Sequence, residues 1–207
     1  MTSVRRLALA LMVAVGLFSV QTAGAETLAA PEGDVILTVS GAITNTNGDG
    51  LARLDMALLD SLPRHSFATS TIWTEGVDTF EGVLLTDLLA ALGATGTNIM
   101  AKALNDYEIA FPVADATAEG PLLAYRMNGK TMSIREQGPI WMVFPYDDVE
   151  AFRTEQTYAR SIWQLDRIVI AQEASSRRSG EGLGCHQRFD TGPAFSASCC
   201  SSSWPWP

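Results

Sequence analysis

Residues 121–145, PLLAYRMNGKTMSIREQGPIWMVFP, constrain the fold of this chain more than any other stretch. Asn128-Gly129 separates two runs, and Asn-Gly suits a tight hairpin because both central positions of a type I′ turn need φ > 0. Ile140 to Phe144 is a continuous apolar run bounded by Pro139 and Pro145, the pattern of a strand buried on both faces. The stretch is therefore predicted to be a hairpin feeding a central strand.

Around it the sequence predicts short elements. Val35 to Gly41 reads as an opening strand and Asn45 to Gly50 as a turn cluster. The turn reading is preferred to a calcium loop because Met56 stands where a bidentate glutamate is needed. Leu54 to Leu62 forms an amphipathic helix stopped by Pro63, and His65 to Trp73 a strand. Thr86 to Leu92 is a helix ended by Gly93. Ile99 to Leu104 and Glu108 to Pro112 are strands, Asp147-Asp148 caps a short helix through Phe152, and Ser161 to Ala171 closes the domain as a strand. Strands and short helices without βαβ repetition imply an α+β fold with mixed β-sheets.

Both ends differ from this middle. Arg5 and Arg6, an apolar run from Leu7 to Val20 and Ala23-Gly24-Ala25 read as a signal peptide over residues 1–25. The apolar run is short for a hydrocarbon core of about 30 Å, so no stable membrane span is expected after cleavage, and a periplasmic or secreted location follows. Val4-Arg5-Arg6-Leu7 matches a twin-arginine signal poorly, which favours export of an unfolded chain. Residues 174–207 are rich in Ser, Gly and Pro without hydrophobic period and read as a disordered tail. The abrupt change of composition after Gln172 is what a shifted reading frame would leave. The single domain is thus residues 26–173.

Charge and cysteine usage exclude several functions. The chain carries 14 Lys+Arg and 23 Asp+Glu. Five of the basic and two of the acidic residues lie in the leader and tail, leaving nine against 21 in the domain, a net of −12. Such a surface repels phosphate backbones, so no nucleic-acid partner is expected. Cys185, Cys199 and Cys200 all lie in the tail, and their spacing fits no structural zinc pattern. The domain therefore has no disulfide, thiolate nucleophile or thiolate ligand. His65 is its one histidine, too few for a transition-metal site or a Ser-His-Asp triad, and is most simply a surface or loop residue.

Four segments together resemble the molybdopterin-binding oxidoreductase domain of the sulfite oxidase family. They are Phe80 to Leu89 (F-x-G-V-x-L-x-x-L-L), Asn105-Asp106-Tyr107 (D-G-Y), the stretch from Leu122 to Pro145, and Ala159-Arg160-Ser161-Ile162 (A-R-S-V). The resemblance spans roughly Val35 to Ile170 and implies a sulfite-oxidase-like molybdopterin-domain fold. It also implies a molybdenum-binding cysteine, but no cysteine stands in the matching region. Where the family pattern has basic residues, this chain has Trp141 and Trp163. Arginine offers a fork of donors for oxyanions; tryptophan offers one N–H and a large apolar face. The exchange favours flat, apolar or cationic ligands. Alternatively, both tryptophans fill space left by a missing cofactor.

The candidate ligand-binding residues are accordingly Trp73, Asp106, Tyr107, Arg126, Trp141 and Trp163, with Arg160 as a further anion contact and no metal ligands. The expected function is a non-catalytic domain binding a small molecule or a periplasmic protein partner, as an extracytoplasmic sensory component, with no cofactor. The alternative is a molybdopterin-dependent oxidoreductase. A purely structural module would bury Trp73, Trp141 and Trp163 with no pocket between them.

Overall fold

The computed structural model of the chain describes residues 28–172. The signal peptide and tail read from the sequence lie outside the described residues. Among the described residues, ten strands form two five-stranded sheets, which share one core with three short α-helices. The first sheet joins β1 (Leu37–Gly41), β2 (Ala52–Leu54), β5 (Asn98–Ala103), β6 (Glu108–Pro112) and β10 (Leu165–Ala171), in the order β2-β1-β10-β5-β6. β1 and β10 run parallel, and the other pairs are antiparallel. Burial alternates along β1 and β5, as in a sheet with one face on the core.

The second sheet holds β3 (Arg64–Ser70), β4 (Val77–Leu84) and β7 (Leu122–Met127), with β8 (Lys130–Thr131) and β9 (Trp141–Val143) both paired to β7. The α+β class with mixed sheets expected from the sequence holds, as does the hairpin. Met127 faces Lys130 across a two-residue loop in which Asn128 and Gly129 take φ of 52° and 77°.

The strand after the hairpin is buried at every position, but it is not central. β9 pairs with β7 alone, and its other edge is closed by the backbone of the segment that leads into β10, with Met142 N–H donating to Ile162 O at 2.8 Å and Leu165 N–H, at the start of β10, to Ile140 O at 2.9 Å. The apolar run reported burial, which a covered edge supplies as well as a central position does.

The helices are short. α1 (Met56–Asp60) is capped by Asp55, whose carboxylate accepts from Leu58 N–H at 2.9 Å and, through its other oxygen, from Glu32 and Gly33 N–H groups. α2 (Leu85–Ala91) follows β4 without a loop and ends at Gly93, φ 58°. There Gly93 N–H donates to Ala90 O and Ala94 N–H to Leu89 O, a Schellman closure. α3 (Glu155–Arg160) is capped by Thr154.

Asp147-Asp148 does not cap the following turn: Val149 is its N-cap, with no side-chain bond. Asp147 instead accepts from the N–H and hydroxyl of Ser70 and pairs with Arg153 at 3.2 Å, holding the end of β3. Asn45 to Gly50 is a turn, tied by Asn47, whose amide donates to Arg53 O and accepts from Arg53 N–H. No helix among the described residues is long and apolar enough to cross a membrane.

Candidate functional site

Loops at one end of the two sheets bring aromatic residues together. Trp73 lies in the β3–β4 turn, where Thr71 Oγ1 accepts from the N–H groups of Trp73 and Thr74 at 3.1 and 3.0 Å. Tyr107 follows β5 in an Asx turn: Asn105 Oδ1 accepts from Tyr107 N–H at 3.1 Å, with Asp106 in the left-handed region. Tyr158 comes from α3, and Ser161 to Trp163 form the link to β10. The Tyr107 hydroxyl donates to Ala159 O at 2.9 Å and ties two of these segments.

Between them is a pocket of about 190 Å³ with Trp73, Tyr107, Tyr158 and Trp163 as its aromatic walls and Asn105 and Ser161 as polar lining. Its volume falls below the roughly 300–1,000 Å³ of sites for drug-sized ligands, so it suits one head group or ring. No charged side chain lines it. The rings pack edge to face, Trp73 against Trp163 at 5.6 Å and 84° and against Tyr158 at 6.0 Å and 85°.

Behind the pocket stands Trp141, which is 0% exposed. Its ring meets Trp73 at 5.9 Å, Trp163 at 6.3 Å and Phe80 at 5.4 Å, and its Nε1–H donates to Ser161 O at 3.3 Å. Ser161 Oγ is engaged on both sides, with the Tyr146 hydroxyl and with Thr157 O. Burial pushes the Tyr146 phenol up to about 12, so it stays neutral and supplies no base.

Three sequence candidates, Trp73, Tyr107 and Trp163, therefore meet around one pocket, and three stand elsewhere. Trp141 is core behind the wall. Asp106 pairs with Lys102 at 2.9 Å, which holds its carboxyl below the usual range, and its side chain does not line the pocket. Arg126 makes a two-point bond to Asp60 at 2.9 and 2.8 Å and lies over the Tyr125 ring at 4.9 Å. Arg160, between two lining residues, pairs with Asp115 at 2.8 Å and sits over Phe111 at 5.3 Å. His65 is a strand residue bound to Asp87 at 2.7 Å. Sequence reasoning missed Tyr158; Thr154, a cap residue followed by Glu155, was the signal for its helix.

A larger groove of about 500 Å³ lies beside Asp55 and Met56. The buried carboxylate there is already spent on three backbone N–H groups, so it offers a ligand little.

Residues 57–153 match the family described as oxidoreductase molybdopterin binding domain. Over that span the chain is similar to a molybdopterin-binding oxidoreductase domain, and the span takes in three of the four segments that carried the resemblance and leaves Ala159 to Ile162 outside. No curated protein matches the chain. The match corrects the expectation of no cofactor, because it points to molybdopterin.

The described residues fit that group in part. The neutral aromatic pocket offers apolar walls but no charged group. No cysteine stands among residues 28–172, and no three His, Cys, Asp or Glu groups gather there to hold a metal ion. For a phosphate the chain would need a free cation, yet seven of the domain's nine basic residues are already in ion pairs. The other two, Lys130 and Arg135, are exposed at or after β8. The pocket thus does not fit the metal or the phosphate, and no step is derived through them.

Proposed function

We propose that this molybdopterin-oxidoreductase-like domain works as an exported binding module, holding a small molecule between Trp73, Tyr107, Tyr158 and Trp163 without turning it over. The observation that carries this reading is the pocket's lining: four aromatic side chains, neutral polar groups, and no histidine, carboxylate or cation. General acid–base or nucleophilic catalysis needs a group that can take or give a proton near neutral pH. The hydroxyl at hand, Ser161, has no base partner. Aromatic walls favour recognition of apolar, flat or cationic groups. An extracytoplasmic sensory role follows from binding without turnover together with the leader-like residues 1–25.

A second reading, a molybdopterin-dependent oxidoreductase, is favoured by the family match. The cofactor would there supply the redox chemistry.

The test is molybdenum analysis with pterin release on protein from a cofactor-competent host, alongside thermal stabilisation by a small-molecule panel. A binding module gives ligand-dependent stabilisation that Trp163→Ala removes. Near-stoichiometric molybdenum with pterin overturns the reading in favour of the oxidoreductase.

A further inference from the structure

We infer that the aromatic pocket selects an organic cation, a quaternary or highly methylated ammonium head group. This rests on the pocket being a binding site and names the class of its ligand.

The wall geometry comes first. A flat ring binds best in a slot with two near-parallel faces, whereas Trp73 stands at 84° to Trp163 and at 85° to Tyr158. Perpendicular walls offer no parallel slot, and the aromatic surface that their edge-to-face packing leaves open suits a rounded group. The negative face of an aromatic ring attracts a cation, and most strongly where water is excluded. About 190 Å³ suits such a head group.

Charge points the same way. No cation lines the pocket to repel a positive ligand, and the two that adjoin lining residues in sequence are paired, Arg160 with Asp115 and Lys102 with Asp106. The domain's net charge of −12 concentrates cations near its surface. The lining also lacks carboxylates, so a strongly hydrated inorganic ion finds no anionic oxygen ligands to replace its water. A weakly hydrated organic cation needs none.

The probes are choline and its uncharged carbon isostere, 3,3-dimethyl-1-butanol, with lumazine as a flat-ring control, titrated into the full chain by calorimetry and tryptophan fluorescence. Choline is expected to bind about ten-fold or more tighter than the isostere, since the two differ in charge and not in shape. Trp163→Leu keeps an apolar wall but loses the π-face and should abolish the choline preference, while Trp163→Phe should keep most of it. If Trp163→Leu fails to fold, as judged by circular dichroism, Tyr107→Leu at the half-exposed rim replaces it. Equal affinity for choline and the isostere overturns the cation assignment and leaves a simple apolar site. Lumazine binding without choline also overturns it while leaving the pocket as a binding site. Choline binding undiminished in Trp163→Leu and Tyr107→Leu overturns the location. Failure of every probe overturns the inference and counts against the binding module as well.

Discussion

Replacing Asp60 by asparagine tests the claim that Arg126 is structural and not a ligand contact. The Asp60 carboxylate accepts four hydrogen bonds: from Arg64 at 2.7 Å, Tyr125 at 2.8 Å, and Arg126 at 2.9 and 2.8 Å. The pair lies at the end of α1 and on β7, with side chains 27% and 20% exposed. A hydrogen bond to a charged group is worth about 1.5–3 kcal/mol, and breaking a fully buried pair costs about 3–5 kcal/mol. Partial exposure lowers the second figure, so Asp60→Asn should cost about 2–3 kcal/mol at pH 7. For a domain of this size that is roughly 5–10 °C in Tm.

The pH dependence has a definite sign. The guanidinium of Arg126 holds the Asp60 carboxyl well below its ordinary value of 3.8. Below about pH 4 the unfolded chain takes up this proton before the folded one does, so the contribution is complete at higher pH and is lost as pH falls toward the depressed folded value. Urea denaturation followed by circular dichroism should show a constant gap between wild type and Asp60→Asn from pH 7 to about 4, then a narrowing one. Asp60→Asn combined with Arg126→Met should recover part of the loss, because the less exposed of the two guanidiniums on Asp60 is then no longer left uncompensated. A difference under about 0.5 kcal/mol at pH 7, or a gap that widens on acidification, would refute the reasoning.

Trp141→Ala should cost about 3–5 kcal/mol in the same assay, because the residue is wholly buried against three rings. Lost ligand binding in that variant therefore reports a damaged core, and an unchanged midpoint would show that Trp141 is not core. Gly82→Ala should cost about 3 kcal/mol or more, because an added Cβ would stand 2.0 Å from Leu123 O, backbone against backbone. Gly129→Ala meets nothing within 4 Å and should cost only about 1 kcal/mol for its positive φ. Equal costs at the two glycines would contradict the close approach of β4 and β7.

Much of the fold was legible where local chemistry decides it. Asn128-Gly129 names its own turn, and Gly93 after an apolar helix names its own cap. β4 was harder to read, because Asp78, Glu81 and Gly82 interrupt its alternation. Gly82 is there for a reason no local pattern carries, the backbone of Leu123 against it. Asp147-Asp148 shows the same limit: carboxylates ahead of a helical turn look like a cap, but Asp147 is held by Ser70, 77 residues earlier in the chain. The site was legible as residue types and not as positions. Trp141 and Trp163 looked alike in sequence, and only the pairing of β9 with β7 puts the first in the core and leaves the second on the pocket.

That division bears on the two positions where the resemblance implies basic residues. Exchanging basic residues for tryptophan at two positions reads as one change of ligand, yet the two tryptophans do different work. Trp141 fills space and fixes Ser161 O, so it determines where the wall stands. Trp163 presents a ring to the pocket. The remaining arginines do not restore an anion site, because Arg126 is tied to Asp60 and Arg160 to Asp115 and Phe111. An incoming anion would have to break one of these pairs and leave a partly buried carboxylate without its partner. The uncharged character of the pocket thus depends on ion pairs outside it as well as on its lining: Arg160 is held by Asp115 and Lys102 by Asp106, and the residues that line the pocket are aromatic, aliphatic or neutral polar.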